Sequence, residues 1–158
     1  MHTDGAREPT ERRTTVLIAE DDPDDRALIS DALDECCDLA NIRFVPDGEE
    51  LMDYLRGRGR YADRRANPPP GLVLLDLKMP KKDGFDVLTE AKGDRRLRRI
   101  PVVVLSTSRS EADVARSYEL GVNSYISKPH TFDELVHAME TLVHYWFDIV
   151  DLAPAAGA

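Results

Sequence analysis

The order of segments in this chain predicts an α/β fold built on a parallel sheet, and three observations carry that reading. Strand-like and helix-like stretches alternate five times between residues 14 and 151, the pattern of strands joined by crossover helices. The runs Val16-Leu17-Ile18-Ala19, Leu72-Val73-Leu74-Leu75 and Val102-Val103-Val104-Leu105 are continuously apolar, as expected of strands covered on both faces. Each run also ends on polar side chains. The first leads into Glu20-Asp21-Asp22, the second into Asp76, and the third into Ser106-Thr107-Ser108, while Ser124-Tyr125-Ile126-Ser127 leads into Lys128-Pro129. In an open parallel sheet these ends share the carboxyl edge, where ligands bind.

The elements follow in order. After the first strand, Asp22 reads as an N-cap with Pro23 at the first helical position. Asp24 and Asp25 suit the positive end of the helix dipole. Ala27, Leu28, Ala32, Leu33 and Cys36 then give an apolar stripe at helical spacing. Ile42-Arg43-Phe44-Val45 is the second strand, and a second helix covers 48–56. From Gly57 to Gly71 the chain holds three glycines and three prolines. That stretch exceeds an ordinary connection and predicts a loop with one helical turn around Tyr61–Ala66. A third helix starts after Asp83-Gly84 and runs to about Lys92, and a fourth covers 110–120 and stops at Gly121. The fifth opens on a capping box, Thr131 with Glu134. Its apolar stripe extends through Trp146, Phe147 and Val150, which predicts about 20 residues, or roughly 30 Å.

At 158 residues the chain is long enough for one domain with a proper core. Residues 1–13 read as a disordered lead-in, 14–151 as the domain and 152–158 as a flexible tail. Neither a membrane-length apolar run nor a signal peptide is present, which predicts a cytoplasmic protein. A net charge of −9 argues against non-specific nucleic-acid binding. Arg56, Arg58, Arg60, Arg64 and Arg65, and again Arg95, Arg96, Arg98 and Arg99, read as solvated loops and helix ends. Cys36 and Cys37 are adjacent, a spacing that suits neither a disulfide framework nor zinc, and they read as reduced helix residues. His130, His137 and His144 fall at heptad spacing, too far apart to chelate one metal, and read as solvent or interface residues.

Three acids, hydroxyls and a lysine converging on one sheet edge suggest a site for a divalent cation and a phosphoryl group. The constellation resembles the receiver domain of two-component response regulators. The residues that carry the likeness are Glu20-Asp21, Asp76 followed by Met79-Pro80 and Asp83-Gly84, Ser106, Tyr125 and Lys128-Pro129. The resemblance implies a flavodoxin-like, doubly wound (βα)5 fold with a five-stranded parallel sheet of order 2-1-3-4-5. A subgroup of single-domain regulators paired with phytochrome-type histidine kinases is similar in its long second connection. It is also similar in Pro80-Lys81-Lys82-Asp83-Gly84, in Gly121-Val122-Asn123-Ser124-Tyr125 and in Trp146-Phe147.

That likeness gives each residue a role. Asp76 is the phosphoacceptor. Mg²⁺ is held by Asp21 and Asp76, by the backbone carbonyl of Lys78, and by Glu20 through a water, because a hard cation prefers oxygen and offsets the repulsion between two anions. Lys128 and the Ser106 hydroxyl bond phosphoryl oxygens, and backbone N–H groups near Lys78 and Thr107 complete the cradle. Ser106 and Tyr125 form the switch, Asp22 faces away as a helix cap, and the Lys128–Pro129 bond is cis. A histidine kinase, in the subgroup of phytochrome type, is the implied partner. The surface of helix four, strand five and helix five, about 110–146, is the implied output. A homodimer through that surface and the aromatic end Trp146-Phe147 is expected, with no attached DNA-binding or catalytic domain. The protein is then not an enzyme beyond its own phosphotransfer and dephosphorylation. A haloacid-dehalogenase-type phosphohydrolase fits less well, because position 78 is Lys where that type has its second Asp. A flavin- or nucleotide-binding domain lacks its Gly-rich loop after the first strand. A phosphorylation-independent pseudo-receiver is disfavoured by the full set of site residues.

Overall fold

The computed structural model describes residues 14–36 and 40–154; the proposed lead-in and the last residues of the tail lie outside them. Five parallel strands, β1 (Thr14–Ala19), β2 (Ala40–Val45), β3 (Leu72–Leu75), β4 (Val102–Ser106) and β5 (Ser124–Ser127), form one sheet of order β2-β1-β3-β4-β5. The helices are α1 (Pro23–Cys36), α2 (Gly48–Arg56), α3 (Gly84–Gly93), α4 (Glu111–Glu119) and α5 (Phe132–Val143). This is the flavodoxin-like, doubly wound arrangement. Its switch point lies between β1 and β3, which opens a crevice at their carboxyl ends.

Period-two alternation splits each central strand between two cores. Leu17, Val73, Leu75, Val102 and Val104 pack with residues of α2 and α3, among them Leu51, Tyr54 and Leu88. Val16, Ile18, Leu72, Leu74, Val103 and Leu105 face the other way, against Ile29, Ala32 and Leu33 of α1 and Leu135, Met139 and Leu142 of α5. That two-sided burial is why the strands read as unbroken apolar runs. Truncating a fully buried leucine such as Leu74 to alanine is expected to cost about 2–5 kcal/mol.

Helix ends follow the sequence signals closely. Asp22 Oδ1 accepts the Asp24 N–H at 2.8 Å, which leaves Asp22 a cap. Asp47, Asp83 and Thr131 cap α2, α3 and α5. Gly57 closes α2 at φ 65°, and Gly121 follows α4 at φ 101°, left-handed values that favour glycine.

The departures have physical causes. β2 starts earlier than Ile42, at Ala40; Asn41 pairs through its side chain with Thr15 at 3.1 Å, a polar contact that hid the strand. The helical turn in the long connection falls at Gly59–Tyr61, just before the expected place. The connection itself is well anchored. Arg64 Nη1 donates to the Tyr54 carbonyl at 2.7 Å, Tyr54 donates its hydroxyl to the Pro68 carbonyl at 2.9 Å, and the Tyr54 and Tyr61 rings lie 4.9 Å apart. The Lys128–Pro129 bond is trans, since no described peptide bond is cis; the trans form is intrinsically favoured by about 0.5–1 kcal/mol. Cys36, expected as a reduced thiol, is disulfide-bonded, and Cys37 lies outside the described residues.

α5 ends at Val143 and continues as a π-helical turn, His144–Ile149, marked by the Val150 N–H bonding to the Tyr145 carbonyl at 3.1 Å. Trp146 and Phe147 turn onto the α1–α5 core, while Tyr145 and Ile149 stay 48% and 61% exposed. Leu152 then reaches the amino edge beside Gly71. No described helix is long and apolar enough to cross a membrane.

Candidate functional site

Glu20 and Asp76 sit one residue past the ends of β1 and β3, on the two sides of the crevice. Backbone bonds fix both: the Glu20 N–H donates to the Val45 carbonyl and the Asp76 N–H to the Ala19 carbonyl, each at 3.1 Å. Their side chains are buried, and among the described residues Asp47 is the one other buried carboxylate. Asp21 beside them is exposed, and carboxylate oxygens of Glu20, Asp21 and Asp76 lie within 4.8 Å of one another. An all-oxygen donor set of three acids fits a hard divalent cation.

Burial pushes the Glu20 carboxyl up to about 7, against the opposing Lys128 hydrogen bond. Asp76 is also raised, by burial first, with Lys128 acting against it. The lysine answers all of this charge. Its Nζ lies 2.7 Å from Glu20 Oε2, 2.9 Å from Asp25 Oδ2 and 3.7 Å from Asp76 Oδ2. Burial disfavours the ammonium, yet these carboxylates outweigh it and hold Lys128 above its ordinary range. The Lys128 N–H donates to the Ser106 carbonyl at 2.8 Å, which registers β5 against β4.

Ser106 ends β4 with no exposed surface, and its Oγ accepts the Ser108 N–H at 3.2 Å. Tyr125 donates its hydroxyl to the Ser108 carbonyl at 2.8 Å, so both expected switch residues grip the same loop. Thr107 and Lys78 are exposed at the rim, and the Lys78 N–H reaches Asp76 Oδ1 at 3.4 Å. After Asp76 the chain makes a γ-turn centred on Lys81 at φ 67°, closed by Lys82 N–H to Pro80 C=O at 2.8 Å. Gly84 then starts α3 so close to β3 that a Cβ there would stand 2.7 Å from the Asp76 carbonyl oxygen.

Glu20, Asp21, Asp76, Ser106, Thr107 and Lys128 therefore meet at one edge as expected. Two participants were not singled out from the sequence. Asp25 reaches the lysine from the first turn of α1, and a third acid one helical turn after Asp21 was the available signal. Arg109 donates to the Lys128 carbonyl at 3.1 Å and touches His130 Nε2 at 3.0 Å; nothing in the sequence marked it. His137, midway along α5, and His144, at the start of the π turn, are both exposed.

Comparison with known proteins agrees with this geometry. The sequence pattern of the response regulator receiver domain matches residues 16–140. Response regulator Rcp1 of Synechocystis sp. (strain ATCC 27184 / PCC 6803 / Kazusa) is 40% identical over 141 residues, 89% of this chain and 93% of that protein. The crystal structure of the phosphorylated cyanobacterial phytochrome response regulator RcpA superposes with a TM-score of 0.83 at 41% identity. It covers 90% of this chain and 99% of its own. The Mn²⁺-bound form of Rcp1 superposes at 0.80 with 38% identity, covering 89% and 99%. The chain belongs to the response regulator receiver domain family.

Proposed function

We propose that this protein is a single-domain response regulator whose Asp76 accepts a phosphoryl group from a histidine kinase. The observation that supports it best is the cluster of Glu20, Asp21 and Asp76 with Lys128 at its side. In the transfer an Asp76 carboxylate oxygen attacks phosphorus, an O–P bond forms and the N–P bond of a phosphohistidine breaks. The leaving imidazole nitrogen takes a proton. Hydrolysis reverses the charge: water attacks phosphorus, inorganic phosphate departs and the Asp76 carboxylate returns.

Asp21 and Asp76 would hold Mg²⁺ together with the Lys78 carbonyl, and Glu20 through a water. The cation supplies charge neutralisation between nucleophile and phosphoryl group. Lys128 bonds one phosphoryl oxygen and the Ser106 hydroxyl another, with backbone N–H groups at Lys78 and Thr107 completing the cradle. Drawing Ser106 toward the phosphoryl group pulls the loop that also holds Tyr125, which biases the face formed by α4, β5 and α5. The similarity to phytochrome response regulators supports a phytochrome-type kinase as partner. The reading is of a cytoplasmic signalling protein, not a multiple-turnover enzyme, and one that does not bind nucleic acid.

Intact mass after incubation with a small phosphodonor and Mg²⁺ tests the central claim. One phosphoryl adduct is expected in the wild type. It should be absent without Mg²⁺ and absent in Asp76→Asn. A wild type that stays unmodified with both the donor and a phosphorylated histidine kinase overturns the reading.

A homodimer through α4, β5 and α5 is the proposed assembly. Trp146 and Phe147 are largely engaged by the chain's own core, so Tyr118 at 50% exposure, with Tyr145 and Ile149, are the apolar groups left to a second copy. Sedimentation is expected to give a dimer that Tyr118→Ser with Ile149→Ser weakens. A monomer at all concentrations, phosphorylated or not, sinks the assembly.

A further inference from the structure

Lys128 is committed before any phosphoryl group arrives. An ammonium has three N–H donors. Two of them are taken by Glu20 at 2.7 Å and Asp25 at 2.9 Å, while Asp76 stands beyond hydrogen-bond length at 3.7 Å. The third N–H is left for a phosphoryl oxygen, so what the two bonds set is where the ammonium stands and how firmly it is held there.

The two partners differ in what binding the cation does to them. Glu20 belongs to the cluster that can share one cation, so its negative charge is drawn off when that cluster is filled. Asp25 lies outside the cluster, on the first turn of α1, so a cation held there does not draw on it directly. Its side chain is one-third exposed, whereas that of Lys128 is 13% exposed. It therefore holds the lysine from the first turn of α1, on the more exposed side of the site.

We infer that Asp25 is a positioning residue that parks the Lys128 ammonium on α1 in the unphosphorylated state and competes with the phosphoryl group for it. The inference rests on the phosphoacceptor reading above and adds a regulatory contact to it. Asp25 sets how far the site must be driven before Lys128 moves over, which makes it a brake on the switched state. The lost ion pair is one charge-assisted bond, partly open to water. Its release is expected to change affinity for a phosphoryl mimic about three- to tenfold.

The test uses beryllium fluoride as the phosphoryl mimic, at saturating Mg²⁺, on the full chain. Asp25→Asn is compared with Asp25→Glu, which keeps the charge, and with Asp24→Asn. The last removes the same charge from the neighbouring residue without a described contact to Lys128. Affinity is read by calorimetry, and the Lys128 side-chain ¹⁵Nζ resonance is followed in parallel. Tighter beryllium fluoride binding in Asp25→Asn alone, with a Nζ resonance displaced before the mimic is added, supports the inference. Binding within twofold of wild type, weaker binding, or an equal gain in Asp24→Asn overturns it. A wild type that fails to bind beryllium fluoride removes the phosphoacceptor reading itself, and the parking role with it.

Discussion

The two edges of the sheet are both crowded with charge, and they handle it in opposite ways. At the amino edge a cavity of about 660 Å³ is lined by Arg56, Arg58, Arg64, Arg96 and Arg99 with Asp94. The two arginine runs read from the sequence as separate solvated segments thus converge there. Arg56 pairs with Asp94 at 3.0 Å and with Glu90 at 3.1 Å, Arg58 with Asp53 at 3.4 Å, and Arg64 donates to the last carbonyls of α2. The acids involved are stabilised as anions. Glu90 is held below its ordinary range by its bond from Lys82, and Asp94 by the Arg96 N–H.

At the carboxyl edge the same residue types are pushed the other way. Burial raises Glu20 and Asp76, and one lysine is divided among three carboxylates. The difference teaches that charge density does not mark a functional site in this fold. Buried carboxylates pushed above their ordinary range do, because a cation is what would complete them.

The widest separation between the edges is expected from truncating one cation at each. Lys128→Ala should slow phosphorylation by about 10²–10³-fold, the loss typical of one preorganised donor, while the protein still folds. Arg64→Ala should leave the phosphorylation rate unchanged and cost about 1–3 kcal/mol of stability, because the α2 carbonyls lose a charged partner. Initial rates with a phosphodonor and urea melts read the two effects. If Lys128→Ala slows nothing, or Arg64→Ala slows phosphorylation, the contrast between the edges collapses.

The pH dependence is the smaller effect and has opposite signs at the two edges. Glu20 is protonated below about 7 in the folded protein but only below its ordinary 4.5 when unfolded. Between those values the native state binds the extra proton, so stability falls as pH rises through that window. Acidifying the metal-free protein from pH 8 to 5.5 should therefore raise its urea midpoint, and apparent Mg²⁺ affinity should drop over the same range. Glu90 and Asp94 act in reverse. Their contribution is complete above their ordinary 4.5 and 3.8 and is lost on further acidification. Saturating Mg²⁺ should erase the gain near pH 6 and leave the acid loss in place. A midpoint that falls steadily from pH 8 downward contradicts the raised Glu20.

The strands and the edge they share were legible because doubly covered parallel strands must be apolar throughout, so their polar ends stand out. Asp76 and Glu20 were visible for that reason. The partner of the lysine was harder to see. Asp25 looked like one more acid suited to a helix dipole, and only the packing of α1 beside β1 and α5 brings it within 2.9 Å of a residue 103 positions away. Arg64 was equally opaque, since its target is backbone carbonyl and leaves no trace in side-chain pattern. The aromatic end was read as an apolar stripe, but a stripe drawn at α-helical spacing does not foresee a π turn. That turn lets Trp146 and Phe147 lie on the chain's own core.

Thr14 at the start of β1, Gly71 before β3 and Leu152 beyond the π turn crowd together at the amino edge; a Cβ on Gly71 would stand 2.4 Å from Thr14 Cγ2 and 3.1 Å from Leu152 Cδ1. Residues 14 and 152 therefore lie side by side, at the opposite edge of the sheet from Asp76. A dye, a surface tether or a fused reporter joined at either position would hold the molecule by its back and leave the carboxyl edge open to a kinase. One attachment chemistry could thus immobilise the protein in a single orientation for kinetic work.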